Sequence, residues 1–400
     1  MSWEKTTVGE IVTTRKGYAF KSSEYVNKGV PVVRVSDYTM DSISDADLKY
    51  YPYDEKQNYI DYELHEKDVI VQTVGSWQNN PASVVGKVVR VPYFLEGALL
   101  NQNAVKIMPA EGIDNNFLFY RLKTEEFKGH VLGEARGAAN QASITLDTIK
   151  SFDFLIPDCL TQKKIGNILS KYDELIENNR KQIKLLEETA QRLYKEWFVD
   201  LRFPGYEDCK IVDGVPVEWE KKKLDEIADV IMGQSPKSEF YNKEHKGLPF
   251  HQGVGSYGAR FVQDDTYSTS FTKVAEANSI LFSVRAPVGR LNITKNKIVI
   301  GRGIAAINSK SGFQSYLFYA LKERFFKDDI LGNGAIFASI SKNELLNQVF
   351  VIPNEKIMSA YEKIAAALDK KIEVVDMQLQ KLVEARDRLL PKLMNGEIEV

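Results

Sequence analysis

The chain has 400 residues, which is long for one domain and ample for two. Its 44% hydrophobic and 27% charged residues form an ordinary globular composition, which excludes a wholly disordered chain. With 53 Lys and Arg against 55 Asp and Glu, the net charge of −2 does not by itself favour nucleic-acid binding, so any basic surface must be local. Two cysteines, Cys159 and Cys209, are too few for a disulfide framework and favour a reducing compartment. The N-terminus lacks the features of a signal peptide, and no apolar run is long enough for a membrane span.

The sequence repeats itself. Residues 3–11 (WEKTTVGEI) resemble 219–227 (WEKKKLDEI), and residues 151–158 (SFDFLIPD) resemble 347–354 (NQVFVIPN). The copies are 216 residues apart at the front and 196 at the back, so the second copy is shorter. We therefore expect two versions of one unit. The predicted segments are a first globular domain at 1–157, a spacer helix at 158–200, a second globular domain at 201–353 and a second spacer helix at 354–396.

The first globular segment alternates β-branched runs with Gly, Pro and Asn turns, which predicts short strands. A helical pattern follows at 115–127. The loops are rich in Asn, Gln, Arg and Lys, whose side chains bond adenine or guanine edges, although such loops are often only turns. The expected strands lie at 30–36, 68–74, 83–91 and 103–108. The candidate DNA-binding residues here are Lys16, Gln78, Asn79, Asn80, Arg136, Asn140 and Gln141.

The first long helical segment carries interface residues at alternating steps of three and four, the pattern of a coiled-coil seam with one stutter. Asp158 or Thr161 is a plausible helix start. Asn179 is a polar seam residue of the kind that fixes register. The seam, which we also take as a partner-docking element, comprises Ile165, Ile168, Tyr172, Ile176, Asn179, Ile183, Leu186, Ala190, Leu193 and Trp197.

The second globular segment predicts strands at 248–253, 279–284, 289–294 and 297–308, and a helix at 313–326. Between Glu276 and Glu323 it holds seven basic residues and no acidic one. This window indicates either a phosphate-contacting face or a solvated basic sheet edge. The candidate DNA-binding residues here are Gln234, Lys237, Gln252, Tyr257, Arg260, Arg285, Arg290 and Arg302.

The second long helical segment repeats the seam of the first, 196 residues on, with the stutter at the same place. Two unrelated surface helices would not share that feature, so we expect them to pair as a coiled coil. Since the first segment leaves domain one and the second leaves domain two, the pair should be antiparallel. Asn354 is a plausible helix start. The second seam comprises Tyr361, Ile364, Leu368, Ile372, Val375, Leu379, Leu382, Arg386, Leu389 and Leu393.

Sequence motifs for catalysis are missing. There is no phosphate-binding loop of the G-x-x-x-x-G-K-[ST] type, and the four histidines form no i, i+4 pair typical of a zinc hydrolase. Gly301-Arg302-Gly303 imitates part of a dinucleotide fingerprint, but no helix pattern opens there. We therefore expect no catalytic residues and no metal site. A non-DNA scaffold with two protein-binding lobes is the main alternative to DNA recognition.

The whole chain resembles the specificity (S) subunit of Type I restriction–modification enzymes. The resemblance rests on Phe154-Leu155-Ile156-Pro157 leading into Gln162-Lys163-Lys164-Ile165, on Leu185-Leu186-Glu187 and Arg192-Leu193, and on the closing 389–396. Gly233-Gln234-Ser235-Pro236 and 284–289 look like motifs of the family's target-recognition domains. The match departs at Met358, which replaces the Gln162 of the first copy, and at the end of the first helix.

This resemblance implies an α+β fold, with two pseudo-repeated target-recognition domains separated by an antiparallel two-helix coiled coil. It implies that each domain recognises one half of a bipartite, asymmetric DNA site, while the helix pair fixes the spacer. The implied partners are double-stranded DNA, two methyltransferase subunits docked on the helices, and restriction (translocase) subunits, all in the cytoplasm. S-adenosylmethionine, ATP and magnesium would be cofactors of those partners, with none in this chain.

Overall fold

The computed structural model describes residues 3–39, 41–77, 83–138, 141–326 and 339–400. The candidate residues Gln78, Asn79, Asn80 and Asn140 lie outside the described residues. The chain forms two compact units. Unit 1 comprises Met1–Asn178 and Gln378–Val400, and unit 2 comprises Asn179–Met377. Each unit therefore combines one globular part with parts of both long helices.

Two long helices follow the globular parts in the chain. The first long helix spans Cys159–Tyr194 and ends in a π-helical turn at Lys195–Val199, and the second spans Glu355–Met394. Oδ1 of Asp158 accepts hydrogen bonds from the backbone N–H groups of Leu160 and Thr161 at 3.0 and 3.1 Å. Asn354 accepts from the N–H of Ile357 at 3.0 Å. These side chains satisfy free donors of the first turn, which confirms the helix starts expected at Asp158 and Asn354.

Unit 1 is a mixed α/β domain with mainly antiparallel pairing. Its largest sheet has the order Val12–Lys16, Ala104–Pro109, Val69–Gln72, Val88–Arg90. A smaller sheet contains a parallel pair, Val30–Val33 with Leu99–Leu100. The other strands of unit 1 are Glu4–Thr7, Lys49–Tyr51, Val74–Gly75, Arg136–Ala138, Gln141–Ser143 and Asp153–Ile156, and its shorter helices are Val8–Ile11, Asn115–Leu122, Glu125–Gly133 and Leu146–Lys150.

Unit 2 repeats this topology. Its corresponding sheet has the order Ala228–Met232, Ile304–Ser309, Ile280–Ser283, Leu291–Ile293. The parallel pair is Leu248–His251 with Ile298–Ile300. The other strands are Ile211–Val212, Val215–Pro216, Glu220–Lys223, Tyr241–Asn242, Tyr267–Ser268, Val274–Ala275 and Val349–Ile352, and the shorter helices are Leu224–Ile227, Gln314–Phe326 and Lys342–Leu346.

Within each unit, the front repeated segment (3–11 or 219–227) lies beside the back repeated segment (151–158 or 347–354). The strand of the front repeat pairs antiparallel with the strand of the back repeat, with Glu4 opposite Ile156 in unit 1 and Glu220 opposite Ile352 in unit 2. The front repeat thus holds the strand that leads into each long helix. Both copies of the repeat therefore form the junction between a globular part and a long helix.

The long helices are antiparallel within each unit. In unit 1, Ile165 near the start of the first long helix shares a hydrophobic core with Leu393 near the end of the second. In unit 2, Ala190 and Trp197 near the end of the first share a core with Tyr361 near the start of the second. Opposite ends therefore meet in both units, as expected for the α+β fold with an antiparallel helix pair.

The predicted seam residues are largely buried, but the prediction is wrong for Ile364. Ile364 is 43% exposed, whereas Ala365 is fully buried. At this end the second long helix packs Ile357, Tyr361 and Ala365, spaced by four residues, into the core of unit 2, so the coiled-coil spacing does not apply. Partly buried seam residues are Ile168, Tyr172, Leu186, Leu193, Leu368, Leu379, Leu382 and Leu389. Buried seam residues are Ile165, Ile176, Asn179, Ile183, Ala190, Trp197, Tyr361, Ile372, Val375, Arg386 and Leu393.

The helix that follows the sheet is held to a long helix differently in the two units. In unit 1, Asp114 caps the helix by accepting from the N–H of Phe117 at 2.9 Å. A Cβ on Gly166 would lie 2.6 Å from that carboxylate. In unit 2 the position equivalent to Gly166 is Glu362, which accepts from the N–H groups of Ser315 and Tyr316, both at 2.9 Å. The carboxylate that caps the short helix thus comes from the residue preceding that helix in unit 1 and from the second long helix in unit 2.

A second exchange accompanies the first. In unit 1 the buried Gln162 accepts from the N–H of Asp114 at 3.0 Å and donates to the carbonyl of Pro157 at 2.9 Å. Its counterpart in unit 2, Met358, is buried and packs in the hydrophobic core instead of forming these hydrogen bonds. The departure from the repeat noted at Met358 is therefore a local change of anchor within the same architecture.

Candidate nucleic-acid interface

Three loops meet at one corner of unit 2. The N–H of Gly301 donates to the carbonyl of His251 at 2.8 Å, and the N–H of Gly303 donates to the carbonyl of Gln252 at 3.0 Å. The N–H of Arg302 donates to Oγ of Ser235 at 3.2 Å. Residues 233–237, 251–253 and 301–303, distant in sequence, are thereby fixed together, and we call them the unit 2 corner.

Glycine is required at this corner because the backbones approach closely. A Cβ on Gly303 would lie 2.4 Å from the carbonyl oxygen of Gln252, and one on Gly233 would lie 2.2 Å from that of Gly301. Real Cβ atoms do not approach backbone oxygen so closely. The Gly301-Arg302-Gly303 sequence therefore reflects loop packing, and a strand at Ile304–Ser309 follows it where a dinucleotide fingerprint needs a helix.

The unit 2 corner presents polar and basic side chains to solvent. Gln234, Lys237, Gln252 and Arg302 are all exposed. Arg285 is exposed on the neighbouring strand end, where the N–H of Val284 bonds the carbonyl of Gly303 at 2.9 Å. Amide and guanidinium groups on a fixed backbone are suited to base edges and to phosphates. The structure thus brings together five of the eight residues predicted in this half.

A buried histidine stabilises the turn beside the corner. Nδ1 of His251 lies 2.8 Å from Oγ of Ser256, and Nε2 lies 2.9 Å from Oδ1 of Asp264. Both ring nitrogens are therefore engaged, and residues 252–256 are held in one conformation. The sequence reasoning did not select His251, since a single histidine gives no signal of such a role.

Two residues predicted to contact DNA in unit 2, Arg260 and Tyr257, do not present their polar groups to solvent. Arg260 is 3% exposed and donates from Nη2 to Oδ1 of Asp369 at 2.6 Å, so its guanidinium cannot reach DNA. Tyr257 is half-buried, and its Oη is buried with no hydrogen-bond partner in the part of the chain that the structure describes. Adjacent sequence position did not distinguish a loop's exposed face from its inner face.

Several basic side chains between Glu276 and Glu323 are paired or buried, so fewer of them can contact DNA than the composition indicates. Lys297 pairs with Glu276 at 2.7 Å, and Lys295 pairs with Asp376. Burial lowers the pKa of Lys322, and Arg290 is half-buried. Acidic residues outside the window therefore neutralise part of it, which leaves Arg285 and Arg302 as its exposed guanidinium groups near the corner.

Unit 1 has a corner built on the same hydrogen bonds. The N–H of Gly17 donates to the carbonyl of Ala104 at 3.0 Å, as Gly233 does to Ile304 at 2.9 Å. The N–H of Asn101 donates to the carbonyl of Val33 at 3.0 Å, as Gly301 does to His251. Residues 16–17 and 101–103 form this unit 1 corner, where the predicted Lys16 is exposed.

The equivalence assigns a candidate that the sequence reasoning missed. Gln102 occupies the place of Arg302, and its Oε1 is buried without a hydrogen-bond partner among the described residues. The correspondence appears only in the hydrogen bonds, because Gly17 precedes Gly233 by 216 residues whereas Gln102 precedes Arg302 by 200, so matching the glycines in sequence does not align the two loops.

The remaining described candidates of unit 1 lie on a hairpin. Arg136–Ala138 pairs with Gln141–Ser143, which pairs in turn with Val74–Gly75. Arg136 and Gln141 are exposed. They are placed on a different sheet from Lys16, so the predicted residues of unit 1 divide into two groups.

A search of the described residues for groups of three or more His, Cys, Asp or Glu side chains that could hold a metal ion finds none. Within the same residues, no helix has the length and apolarity needed to cross a bilayer.

Comparison with known proteins identifies the family. The model of the type I restriction modification DNA specificity domain matches residues 1–188 and 216–385. A Methanocaldococcus jannaschii protein named as a type I restriction enzyme MjaX specificity subunit is 30% identical over 405 residues, covering 100% of this chain and 94% of that protein. The HindI specificity subunit of Haemophilus influenzae is 25% identical over 377 residues, covering 75% of this chain and 80% of that protein.

A solved structure has the same fold. The type I restriction–modification S subunit from M. genitalium superposes with a TM-score of 0.63 at 17% identity, covering 98% of this chain and 96% of that one. The two family-model matches coincide with the two sequence repeats and together include most of the chain. The chain therefore belongs to the type I restriction–modification DNA specificity family, with two copies of the specificity domain.

Proposed function

We propose that each unit of this specificity subunit recognises one half of a bipartite, asymmetric DNA site. The observation that carries this proposal is the pair of equivalent corners. Their backbone hydrogen bonds correspond, but unit 2 presents the exposed Arg302 and Gln252, where unit 1 has the half-buried Gln102 and Arg34, the latter paired with Asp37 at 2.7 Å. A common frame with different hydrogen-bonding side chains is suited to two different base sequences.

We further propose that the long helices set the gap between the half-sites and dock two methyltransferase subunits. Support for docking comes from the first long helix, where Leu160, Leu175 and Leu185 are exposed, the last at 61%. Exposed apolar side chains along a helix are available to a protein partner. Both units repeat one architecture, which provides two related docking places, but the equivalent positions of the second long helix are Lys356, Lys371 and Lys381, so the two places differ in side chains.

The catalytic steps belong to the partners in this proposal. S-adenosylmethionine would be bound by the methyltransferase subunits, and ATP and magnesium by restriction subunits joined to them, in the cytoplasm. The chain itself supplies recognition, since its candidate groups are amides and guanidinium groups that bond to DNA without bond-making chemistry.

The proposal is tested with Arg302→Ala in the complex of this chain with its methyltransferase. Because Arg302 is exposed at the unit 2 corner, we expect weaker DNA binding. If the arginine contacts a phosphate, the slope of log Kobs against log salt becomes shallower by about 0.9. The measurement is a DNA-binding titration at several salt concentrations.

Arg202→Ala is the matched control, because Arg202 is an exposed arginine that pairs with Glu196 at 3.5 Å, away from the corner residues in sequence and contacts. Its binding and salt slope should equal those of the wild-type complex. Unchanged affinity and slope for Arg302→Ala would remove the unit 2 corner as a DNA contact.

A further inference from the structure

A buried arginine joins a loop of unit 2 to both long helices. Arg260 donates from Nη2 to Oδ1 of Asp369, on the second long helix, at 2.6 Å. Its Nη1 lies 3.9 Å from Oε1 of Glu187, on the first long helix. The guanidinium therefore lies between carboxylates from two helices.

The same guanidinium is fixed by aromatic packing. Its Cζ lies 3.7 Å from the ring centroid of Phe318, on the helix Gln314–Phe326. The next residue, Tyr319, donates from Oη to Oδ1 of Asp369 at 3.1 Å. A planar cation that stacks on a ring while it bonds a carboxylate has one preferred orientation, which lysine does not reproduce.

The loop that ends at Arg260 is bonded along its length. The N–H of Ile293 donates to the carbonyl of Arg260 at 3.0 Å, and Nδ2 of Asn292 donates to the carbonyl of Gly258 at 2.9 Å. The N–H of Gln263 donates to the carbonyl of Ser256 at 2.9 Å. Residues 256–260 are therefore held by hydrogen bonds within the 252–260 loop, whose first residue in sequence, Gln252, belongs to the unit 2 corner.

Unit 1 contains the equivalent carboxylate with a different arrangement. Tyr120 donates from Oη to Asp173 at 2.6 Å, as Tyr319 does to Asp369. The cation on Asp173 is Arg386, which belongs to the second long helix and lies at 2.7 Å. A separate arginine, Arg90, stacks on Phe119 at 3.9 Å. Two arginines thus divide the roles that Arg260 combines in unit 2.

We propose that Arg260 is a positioning residue for DNA recognition by unit 2, fixing the 252–260 loop to the long helices through Asp369 and Glu187. This inference rests on the proposed function. It assigns to Arg260 an indirect role in specificity, in place of the direct base contact expected from sequence. In unit 1, the contact of Arg386 with Asp173 joins the two long helices.

Two variants separate positioning from folding. Arg260→Met removes the charge while keeping an unbranched side chain, but it leaves the half-buried carboxylate of Asp369 without its cation. Asp369→Asn removes the ion pair from the other side and keeps an oxygen that accepts from Tyr319. Because both variants break one interaction, the double variant should behave as either single one. Arg202→Met, at an exposed arginine paired with Glu196, is the matched control.

The experiment measures methylation by the complex of the full chain with its methyltransferase, on DNA carrying single mismatches in each half-site. For Arg260→Met and for Asp369→Asn we expect discrimination against mismatches to fall about tenfold at one half-site, within the range of a single base-pair mismatch. Discrimination at the other half-site, and methyltransferase binding, should stay at wild-type values. Arg202→Met should match the wild type throughout.

Two other outcomes are distinguishable. If the wild-type complex shows no two-part specificity, the proposed function fails. If the wild type is specific and Asp369→Asn keeps wild-type discrimination against mismatches at both half-sites, the positioning role is overturned. Equal loss at both half-sites, with reduced methyltransferase binding, would also overturn it, because a general structural defect predicts that result.

Discussion

Lengthening both long helices by one heptad is expected to move the two half-sites apart without changing their bases. Tandem duplication of Tyr172–Asn178 and of Lys371–Met377 places the added turns at the boundary between the units and preserves the seam. Seven residues add about 10 Å of helix, which corresponds to about three base pairs. The half-sites also turn with the duplex, so modification at the longer gap should be slower.

The measurement is sequencing of modified bases in cells that contain the altered chain and its methyltransferase. Duplication in the first helix alone is the control, since it shifts one helix against the other and should give no single new gap. New bases in either half-site, with the original gap retained, would contradict the role of the helices as a spacer.

Replacing the globular part of unit 2 with a second copy of unit 1 is expected to give an inverted repeat of one half-site. Glu4–Thr7 and Glu220–Lys223 pair in the same register with the strands that precede the long helices, so residues 4–156 fit in place of 220–352. Identical domains on an antiparallel helix pair should recognise the same bases on opposite strands.

The structure specifies which helix residues must change with this graft. Glu362 caps the native helix of unit 2, whereas the grafted helix brings its own cap, Asp114, so Glu362→Gly is needed to avoid two carboxylates in one place. Met358→Gln supplies the partner that Asp114 has in unit 1. Asp369→Asn removes the charge that Arg260 neutralised.

The graft is again tested by sequencing of modified bases. The matched control is the same graft with Met358, Glu362 and Asp369 unchanged, which should be less stable and modify DNA less. A graft that is stable, binds the methyltransferase and still modifies the original asymmetric site would show that residues outside 220–352 determine the second half-site.

The architecture was predictable because its signals are local. The heptad spacing and the 196-residue offset require only the order of residues, and Asp158 and Asn354 act on the next turn of chain. The seam failed at Ile364, where packing against the sheet domain replaces packing between helices. No local pattern distinguishes those two partners.

The candidate site was predictable only in part because burial depends on distant partners. In sequence, Arg260 looks like any loop arginine. In the structure it is buried, because it forms an ion pair with Asp369, 109 residues later. The basic window likewise loses Lys295 to Asp376. Gln102 was missed for the opposite reason, since its importance derives from the topological match with Arg302 and not from its own neighbours.

Sequencing of modified bases in cells carrying the unaltered chain and its methyltransferase tests the account most directly. Two unlike short half-sites, separated by a constant number of unspecified base pairs, are the predicted result. A single contiguous motif, or half-sites whose separation varies from site to site, would contradict recognition by two units joined through paired helices.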